Sequence, residues 1–236
     1  MDEGALREAV CRANQGLVEA GLVVLAFGNA SAVDRGAGVM AIKPSGARYA
    51  ELGPEDMVLV DLASGHATGP VRPSSDAPTH RRIYQAFPEV GGVVHTHSRF
   101  ASCWAQAGRP IPCLGTTHAD HFRGPVPVTR ELRADEIAGD YEVNTGAAIV
   151  ERFTADGLDP SAIPGCLVMG HGPFTWGPSV ADALANAIAL EHIAAIALHQ
   201  LVLGPPRELA PALLERHFAR KHGPGAYYGQ PHGEGA

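Results

Sequence analysis

His95 and His97 are the residues whose type and spacing point most directly to chemistry. They follow the apolar pair Val93-Val94, which predicts a strand, and alternate side chains of a strand project to the same face. With their Cα atoms about 6.5–7 Å apart, two strand rises, both imidazoles can reach one metal ion. A histidine pair on a half-buried strand is equally typical of hydrogen-bonded polar residues. The pair therefore indicates a metal site only together with a third ligand.

His171 is the candidate third ligand, because it follows a predicted strand and is flanked by Gly170 and Gly172, which leave space around its ring. Three histidines with an open coordination position are typical of catalytic zinc sites, whereas structural sites are usually closed by four ligands. Asp76, at the start of a predicted helix, is a fourth ligand, a nearby base, or simply the cap of that helix.

Small polar residues on three other segments could bind a phosphate group. Lys43 supplies a positive charge, while serines and glycines offer hydroxyls and backbone N–H groups, some of them beside a predicted helix N-terminus. The candidates are Gly28, Asn29, Lys43, Ser45, Gly46, Ser74 and Ser75. Each alone is more typical of a turn or a cap, so the prediction depends on their occurring on segments that also carry metal-ligand candidates.

The elements that must position these residues alternate between hairpins and helices. Apolar spacing predicts helices at 3–20, 77–87, 99–107, 135–156 (broken near 144–146), 180–203 and 213–222. Strand-like runs lie at 22–27, 31–33, 39–42, 57–61, 93–97, 165–169 and 174–176, and residues 111–130 are irregular. No steady β-α-β alternation is present. We therefore expect an α/β fold with a central, mostly antiparallel sheet flanked by helices on both faces.

Composition limits the class of protein. The 236 residues are 45% hydrophobic and carry a net charge of −7, which is typical of a single globular domain and gives no basic footprint for nucleic acid. The four cysteines form no Cys-x-x-Cys pair, so neither a disulfide framework nor a thiolate zinc site is expected. The acidic N-terminus and the lack of a long uninterrupted apolar run predict a cytoplasmic protein with no membrane partner.

Several runs of the sequence resemble the class II aldolase/epimerase family of zinc enzymes, and within it the epimerase branch that acts on L-ribulose 5-phosphate. The runs are Gly28–Asp34, Lys43–Gly46, Ser74–His80, His95–Ser98, Gly115–Asp120, His171–Phe174 and Lys221–Gln230. The resemblance extends over residues 1–230 as one domain and leaves 231–236 as a short extension. Asp76 stands where the family's aldolases typically carry Glu, and Phe27 stands where Trp is expected.

The resemblance implies an activity and further site residues. It implies Zn²⁺, or another divalent metal, bound by His95, His97 and His171 with Asp76, and a sugar-phosphate substrate. Asp120 and Tyr228 are implied as the two acid/base residues. Supporting roles fall to Glu142 and His217. It also implies a homotetramer whose active sites lie at subunit interfaces.

Two other functions remain open at this stage. A class II sugar-phosphate aldolase of the fuculose- or rhamnulose-phosphate type would use the same metal but release the aldehyde. An interaction module like the adducin head would share the fold without catalysis. The intact set of three histidines argues against the module, because a binding surface does not need a metal site.

Overall fold

The computed structural model of the protein describes residues 2–223 and 225–227. Its strands are β1 Asn29–Asp34, β2 Val39–Ile42, β3 Val58–Asp61, β4 Gly92–His95, β5 Gly165–Leu167 and β6 Pro173–Gly177. Its helices are α1 Glu3–Glu19, α2 Ala77–Ala86, α3 Arg99–Gln106, α4 Thr116–Ala119, α5 Ala134–Ala138, α6 Tyr141–Asp156, α7 Val180–Leu203 and α8 Pro211–His222. Two short 3₁₀ turns, Tyr49–Glu51 and Pro54–Asp56, precede β3.

The six strands form one sheet in the order β3-β2-β1-β4-β6-β5, and every neighbouring pair is antiparallel. This confirms the predicted antiparallel sheet. The register places Asn29 opposite His95, and His95 opposite Phe174. The start of β1, the end of β4 and the start of β6 therefore lie side by side at one end of the strands. The predicted site segments around Asn29, His95 and His171 are at this end.

Helices cover both faces of the sheet, as expected. Alternate residues of β4 belong to two separate hydrophobic clusters: Val93 packs with Ile83 of α2 and Ile149 of α6, while Val94 packs with α1. Successive strand side chains point to opposite faces, so each cluster is the core on one side of the sheet. Helix α7 contributes to both clusters.

Helix α7 is, within the part of the chain that the structure describes, the one helix long and apolar enough to cross a membrane. Its residues Leu190, Ile193 and Ala194 are buried, and the helix packs on β4 and β6. A core helix has the same length and composition, and this packing indicates that role.

Three predictions about local structure were wrong. Residues 22–27 form a loop with a turn at Leu25-Ala26 rather than a strand. The Phe27 N–H donates to the Val24 carbonyl, and Val24 and Leu25 are exposed. The helical region at 135–156 breaks at Gly139-Asp140, whereas Gly146 lies inside α6. A Cβ at position 146 would lie 2.7 Å from the Cβ of Arg82, so this glycine allows α6 to approach α2 closely. The strand at His95 also ends two residues earlier than predicted, and His97 lies in the following loop.

Candidate active site

Three histidine side chains converge at the edge where β1, β4 and β6 meet. The Nε2 atom of His97 lies 3.1 Å from Nε2 of His95 and 3.2 Å from Nε2 of His171. His95 ends β4, His97 follows it by two residues, and His171 lies in the turn between β5 and β6. His95 is buried, His171 half-buried and His97 exposed, so the cluster opens on one side. The structure therefore brings the three predicted metal ligands together.

The hydrogen bonds and the burial of the histidines leave their Nε2 atoms available to bind a metal ion. Nδ1 of His95 donates to the Pro173 carbonyl at 3.0 Å, so in the neutral ring Nε2 carries the lone pair. Burial lowers the pKa of His95 to about 3 and also lowers the pKa values of His97 and His171. Three neutral imidazoles facing one point are a set of donors that fits a divalent metal ion.

Asp76 lies beside the histidines but does not cap its helix. Although it is the N-cap residue of α2, its carboxylate makes no capping hydrogen bond. Its Oδ2 instead accepts from Nδ2 of Asn29 at 2.7 Å, and the same amide donates to Ser74 Oγ at 3.0 Å. Burial acts to raise the pKa of Asp76, but the imidazoles of His95 and His80 and the Asn29 hydrogen bond outweigh it and lower that pKa. The carboxylate is therefore ionised and available next to the candidate metal site.

A pocket of about 260 Å³ joins the histidines to the predicted phosphate-binding segments. The predicted residues that line it are Gly28, Asn29, Lys43, Ser45, Gly46, Ser74, Ser75, Asp76, His97, Glu142 and His171. Ala26, Phe27, Pro44 and Tyr141 complete the lining. A larger cavity of about 480 Å³ lies between the 157–163 and 208–215 segments, but none of the predicted site residues lines it. The donor groups therefore mark the smaller pocket as the candidate active site.

Lys43 is the cation of this pocket. Its side chain is 2% exposed, and among the described residues it forms no ion pair with a carboxylate. Nζ lies 3.5 Å from the Pro44 carbonyl and 4.8 Å from the centre of the Tyr49 ring. Burial lowers the pKa of Lys43. A buried ammonium without an anionic neighbour is costly, which favours a site that an anion completes.

Backbone pairing outside the named strands assembles the phosphate-binding segments. Ser74 N–H donates to the Lys43 carbonyl at 2.9 Å, and Ser45 N–H donates to the Arg72 carbonyl at 3.0 Å. Gly28 has a positive φ of 86°, and a Cβ there would lie 2.8 Å from the His95 carbonyl oxygen. Only glycine fits this approach of the β1 loop to β4.

Asp120 and His217 lie together, but apart from the histidine cluster. Asp120 follows α4, and its two carboxylate oxygens accept hydrogen bonds from the Arg220 guanidinium of α8. His217 Nδ1 lies 3.1 Å from Asp120 Oδ1. Burial acts to raise the pKa of Asp120, but Arg220 and then His217 outweigh it and lower that pKa. Neither Asp120 nor His217 lines the pocket of the same chain. Tyr228 lies outside the described residues.

Two tyrosines that sequence reasoning missed contact the pocket. The Tyr141 hydroxyl lies 3.2 Å from Nδ1 of His171, and the Tyr49 hydroxyl donates to the Gly28 carbonyl at 2.7 Å. Tyr141 directly precedes Glu142, a predicted supporting residue, and this adjacency was the one available signal. Tyr49 follows the Lys43–Gly46 turn, and no spacing rule connects it to Gly28.

Comparison with known proteins identifies the family of the fold. Residues 8–198 match the family model of the class II aldolase and adducin N-terminal domain. The solved structures that resemble the chain include an L-fuculose 1-phosphate aldolase, at a TM-score of 0.76 and 24% identity over 90% of this chain and 94% of that one. YgbL of Klebsiella pneumoniae, described as a putative aldolase/epimerase/decarboxylase, has a TM-score of 0.73 and 24% identity over 92% and 99% of the two chains. L-fuculose-1-phosphate aldolase from Thermus thermophilus has a TM-score of 0.63 and 25% identity over 86% and 98%. Because the family model covers most of its length, the chain belongs to the class II aldolase and adducin N-terminal domain family.

Proposed function

We propose that the protein is a metal-dependent epimerase that interconverts L-ribulose 5-phosphate and D-xylulose 5-phosphate. The observation that carries the proposal is the pocket that His97 and His171 line together with the buried Lys43. Nε2 of His97 lies 3.1 Å from Nε2 of His95 and 3.2 Å from Nε2 of His171. One end of this pocket suits a divalent metal ion and the other end suits a phosphate. A phosphorylated ketose carries groups for both ends.

The donor set fits a divalent metal, for which we propose Zn²⁺, although histidine sites also accept other divalent ions. His95, His97 and His171 would hold it, with Asp76 as a fourth ligand or an adjacent base. When bound, the ion supplies a Lewis acid that stabilises negative charge on the substrate oxygens.

The chemistry of the substrate explains why such a site is needed. The hydrogen on carbon 4 is not adjacent to the ketone at carbon 2, so simple deprotonation cannot invert this centre. The bond between carbons 3 and 4 is an aldol bond. When it breaks, its electron pair stays on carbon 3, the carbon 4 hydroxyl loses its proton, and a dihydroxyacetone enediolate and glycolaldehyde phosphate result. Rotation of the aldehyde before the bond re-forms, with the proton returned to the oxygen on carbon 4, gives the epimer.

The phosphate would lie against Lys43, with donors from Ser45, Gly46, Ser74 and Ser75 and the close backbone at Gly28. Helix α2 begins at Ala77, after the two serines and its N-cap Asp76, and its dipole favours an anion at this end. Asn29 has a different part: its amide nitrogen is already bonded to Asp76 and Ser74, while its buried carbonyl oxygen has no partner among the described residues. Asn29 therefore orients Asp76 and offers the substrate an acceptor suited to a hydroxyl group.

Two acid/base residues would handle the oxygen on carbon 4 from opposite faces, and the family resemblance suggests Asp120 and Tyr228, with Glu142 and His217 in support. Asp120 does not line the pocket of its own chain. We therefore propose that a neighbouring copy supplies it, in a homotetramer whose active sites lie between subunits.

A sugar-phosphate aldolase is the second candidate, because three of the similar solved structures are described as L-fuculose 1-phosphate aldolases. It would use the same pocket and release the aldehyde. The Asp at position 76 and the Thr116–Asp120 run favour the epimerase, since the aldolases of the family typically carry Glu at the first of these positions.

The deciding experiment is a product assay with L-ribulose 5-phosphate, run with added Zn²⁺ and with a chelator. Formation of D-xylulose 5-phosphate that the chelator abolishes is the expected result. Stoichiometric release of dihydroxyacetone would show the aldolase instead. A protein that binds no metal and does not convert L-ribulose 5-phosphate after zinc addition would indicate an adducin-like interaction module and overturn both enzyme proposals.

A further inference from the structure

Two of the three clustered histidines have a hydrogen-bond partner on the ring nitrogen that faces away from the cluster. For His95 the partner is the backbone carbonyl of Pro173, at 3.0 Å. For His171 it is the hydroxyl of Tyr141, 3.2 Å from Nδ1. The Tyr141 and His171 rings are nearly parallel, with an interplanar angle of 24° and centroids 6.3 Å apart. The partner of Nδ1 in His171 is therefore a side chain, whereas the partner of Nδ1 in His95 is a backbone carbonyl.

A neutral imidazole that uses Nε2 as a metal ligand must carry its proton on Nδ1. That proton needs an acceptor, and the acceptor fixes both the tautomer and the direction of the ring. We propose that Tyr141 is a positioning residue for His171: its hydroxyl accepts the Nδ1–H and holds Nε2 toward His95 and His97. This inference rests on the proposed function only in that the three histidines bind a metal.

The surroundings of Tyr141 allow it to act in this way. It is the first residue of α6, and α6 is held against α2 by the hydrogen bond from Thr79 Oγ1 to the Glu142 carbonyl, at 2.6 Å. Gly146 lets the same two helices approach closely further along. Because α2 begins next to Asp76, one helix contact positions both the carboxylate and the tyrosine relative to the candidate metal.

The test is the metal affinity of Tyr141→Phe, measured by competition with a chromophoric chelator using Zn²⁺ and Co²⁺. Loss of the hydroxyl should raise the metal Kd by about 10- to 100-fold, the range for removing an outer partner of a ligand. The visible absorption of the Co²⁺ protein should also change, because the His171 ring loses its fixed direction. Addition of metal well above the new Kd should restore occupancy.

The matched control is Tyr84→Phe. The Tyr84 hydroxyl is buried and bonded to Ser31 Oγ at 2.8 Å, and it touches none of the three histidines. This variant should lose stability while keeping the metal Kd and the Co²⁺ spectrum of the unaltered protein. A Tyr141→Phe protein that folds normally by circular dichroism, with Kd within twofold and an unchanged spectrum, would overturn the inference. If the unaltered protein itself binds neither ion, the proposed metal site fails instead, and the two failures are distinguishable.

Discussion

The three histidines and the group formed by Asp120, His217 and Arg220 are held in place in different ways. His95 and His171 lie at or near the ends of neighbouring antiparallel strands, so the ladder between β4 and β6 sets their separation. Asp120 follows the four-residue helix α4, and side-chain bonds to α8, 97 and 100 residues further along, hold it in place. The candidate metal site is thus formed within one chain, whereas Asp120, the proposed acid/base residue, is held by a separate pair of helices.

The electrostatics of the two regions differ as well. Burial lowers the pKa values of the clustered histidines and keeps them neutral, which is the form that binds a metal. Asp120, by contrast, is held ionised because Arg220 and His217 outweigh the effect of burial. A carboxylate paired with a guanidinium accepts a proton poorly, so a catalytic Asp120 must loosen this pair when substrate binds. If the proposed roles are right, substitutions in the two regions should abolish metal binding and proton transfer separately.

The largest effect should follow from His97→Asn, which removes the histidine that faces both of the others. We expect loss of bound metal together with a fall in epimerisation of about 10⁴-fold or more, since several kcal/mol of charge stabilisation depend on the ion. Metal analysis of the purified variant and the product assay would measure both. His199→Asn, at an exposed position of α7, is the control. Full metal occupancy in His97→Asn would remove this residue from the ligand set.

Asp120→Asn should reduce turnover without affecting the candidate metal site. Metal content should remain intact while epimerisation falls by roughly 10²–10⁴-fold, the usual span for a lost general acid/base. Normal turnover of this variant would exclude Asp120 from the mechanism.

Mixing the two inactive variants tests whether Asp120 comes from a neighbouring copy. If it does, refolding His97→Asn and Asp120→Asn together should recover activity in roughly a quarter of the sites, by random assembly of mixed oligomers. Each recovered site would combine the intact histidines of one chain with the intact aspartate of another. A mixture as inactive as its components would contradict a shared site.

Lys43→Met should affect binding more than chemistry. Loss of one charge-assisted contact to phosphate, worth about 1.5–3 kcal/mol, should raise KM and the inhibition constant of inorganic phosphate by about 10- to 100-fold. Metal content should not change. The control is Arg48→Met, which removes an exposed cation close in sequence that does not line the pocket. An equal effect of both variants would mean that general charge, rather than Lys43 itself, attracts the substrate.

Residue spacing predicted the candidate site better where strands build it than where helices do. The His-x-His pair and the glycine-flanked His171 were recognisable, because strand ends in one antiparallel sheet meet at a common edge. The contact between Tyr141 and His171 was not predictable, since it depends on how α6 packs against α2 and not on the pattern of either segment. The predicted position of the helix break was wrong for a related reason. Gly146 looks like a breaker in sequence, and only the packing of α6 on Arg82 gives it another role.

The smallest expected effect is on the pH dependence of the free energy of unfolding, and it concerns helix α4, which precedes Asp120. His118 lies on α4 next to Asp120, is buried, and has its Nε2 2.7 Å from the Gly124 carbonyl. Burial lowers its pKa from 6.5 to about 4, although the bond to Gly124 acts in the opposite direction and His121 adds to the lowering. Between these two values the unfolded chain binds the proton and the folded chain does not. The free energy of unfolding therefore falls as pH drops from about 6.5 toward 4.

His118→Gln keeps a donor for Gly124 but cannot titrate. Between pH 7 and pH 5 the variant should lose less stability than the unaltered protein, by about 2 kcal/mol, as measured by urea unfolding at each pH. The comparison of the two slopes cancels any uniform cost of the substitution. His66→Gln, at an exposed position, is the matched control. Equal pH dependence in His118→Gln and the unaltered protein would mean that the α4 region opens and protonates before the sheet unfolds. Helix α4 would then unfold independently of the sheet that carries the histidine cluster.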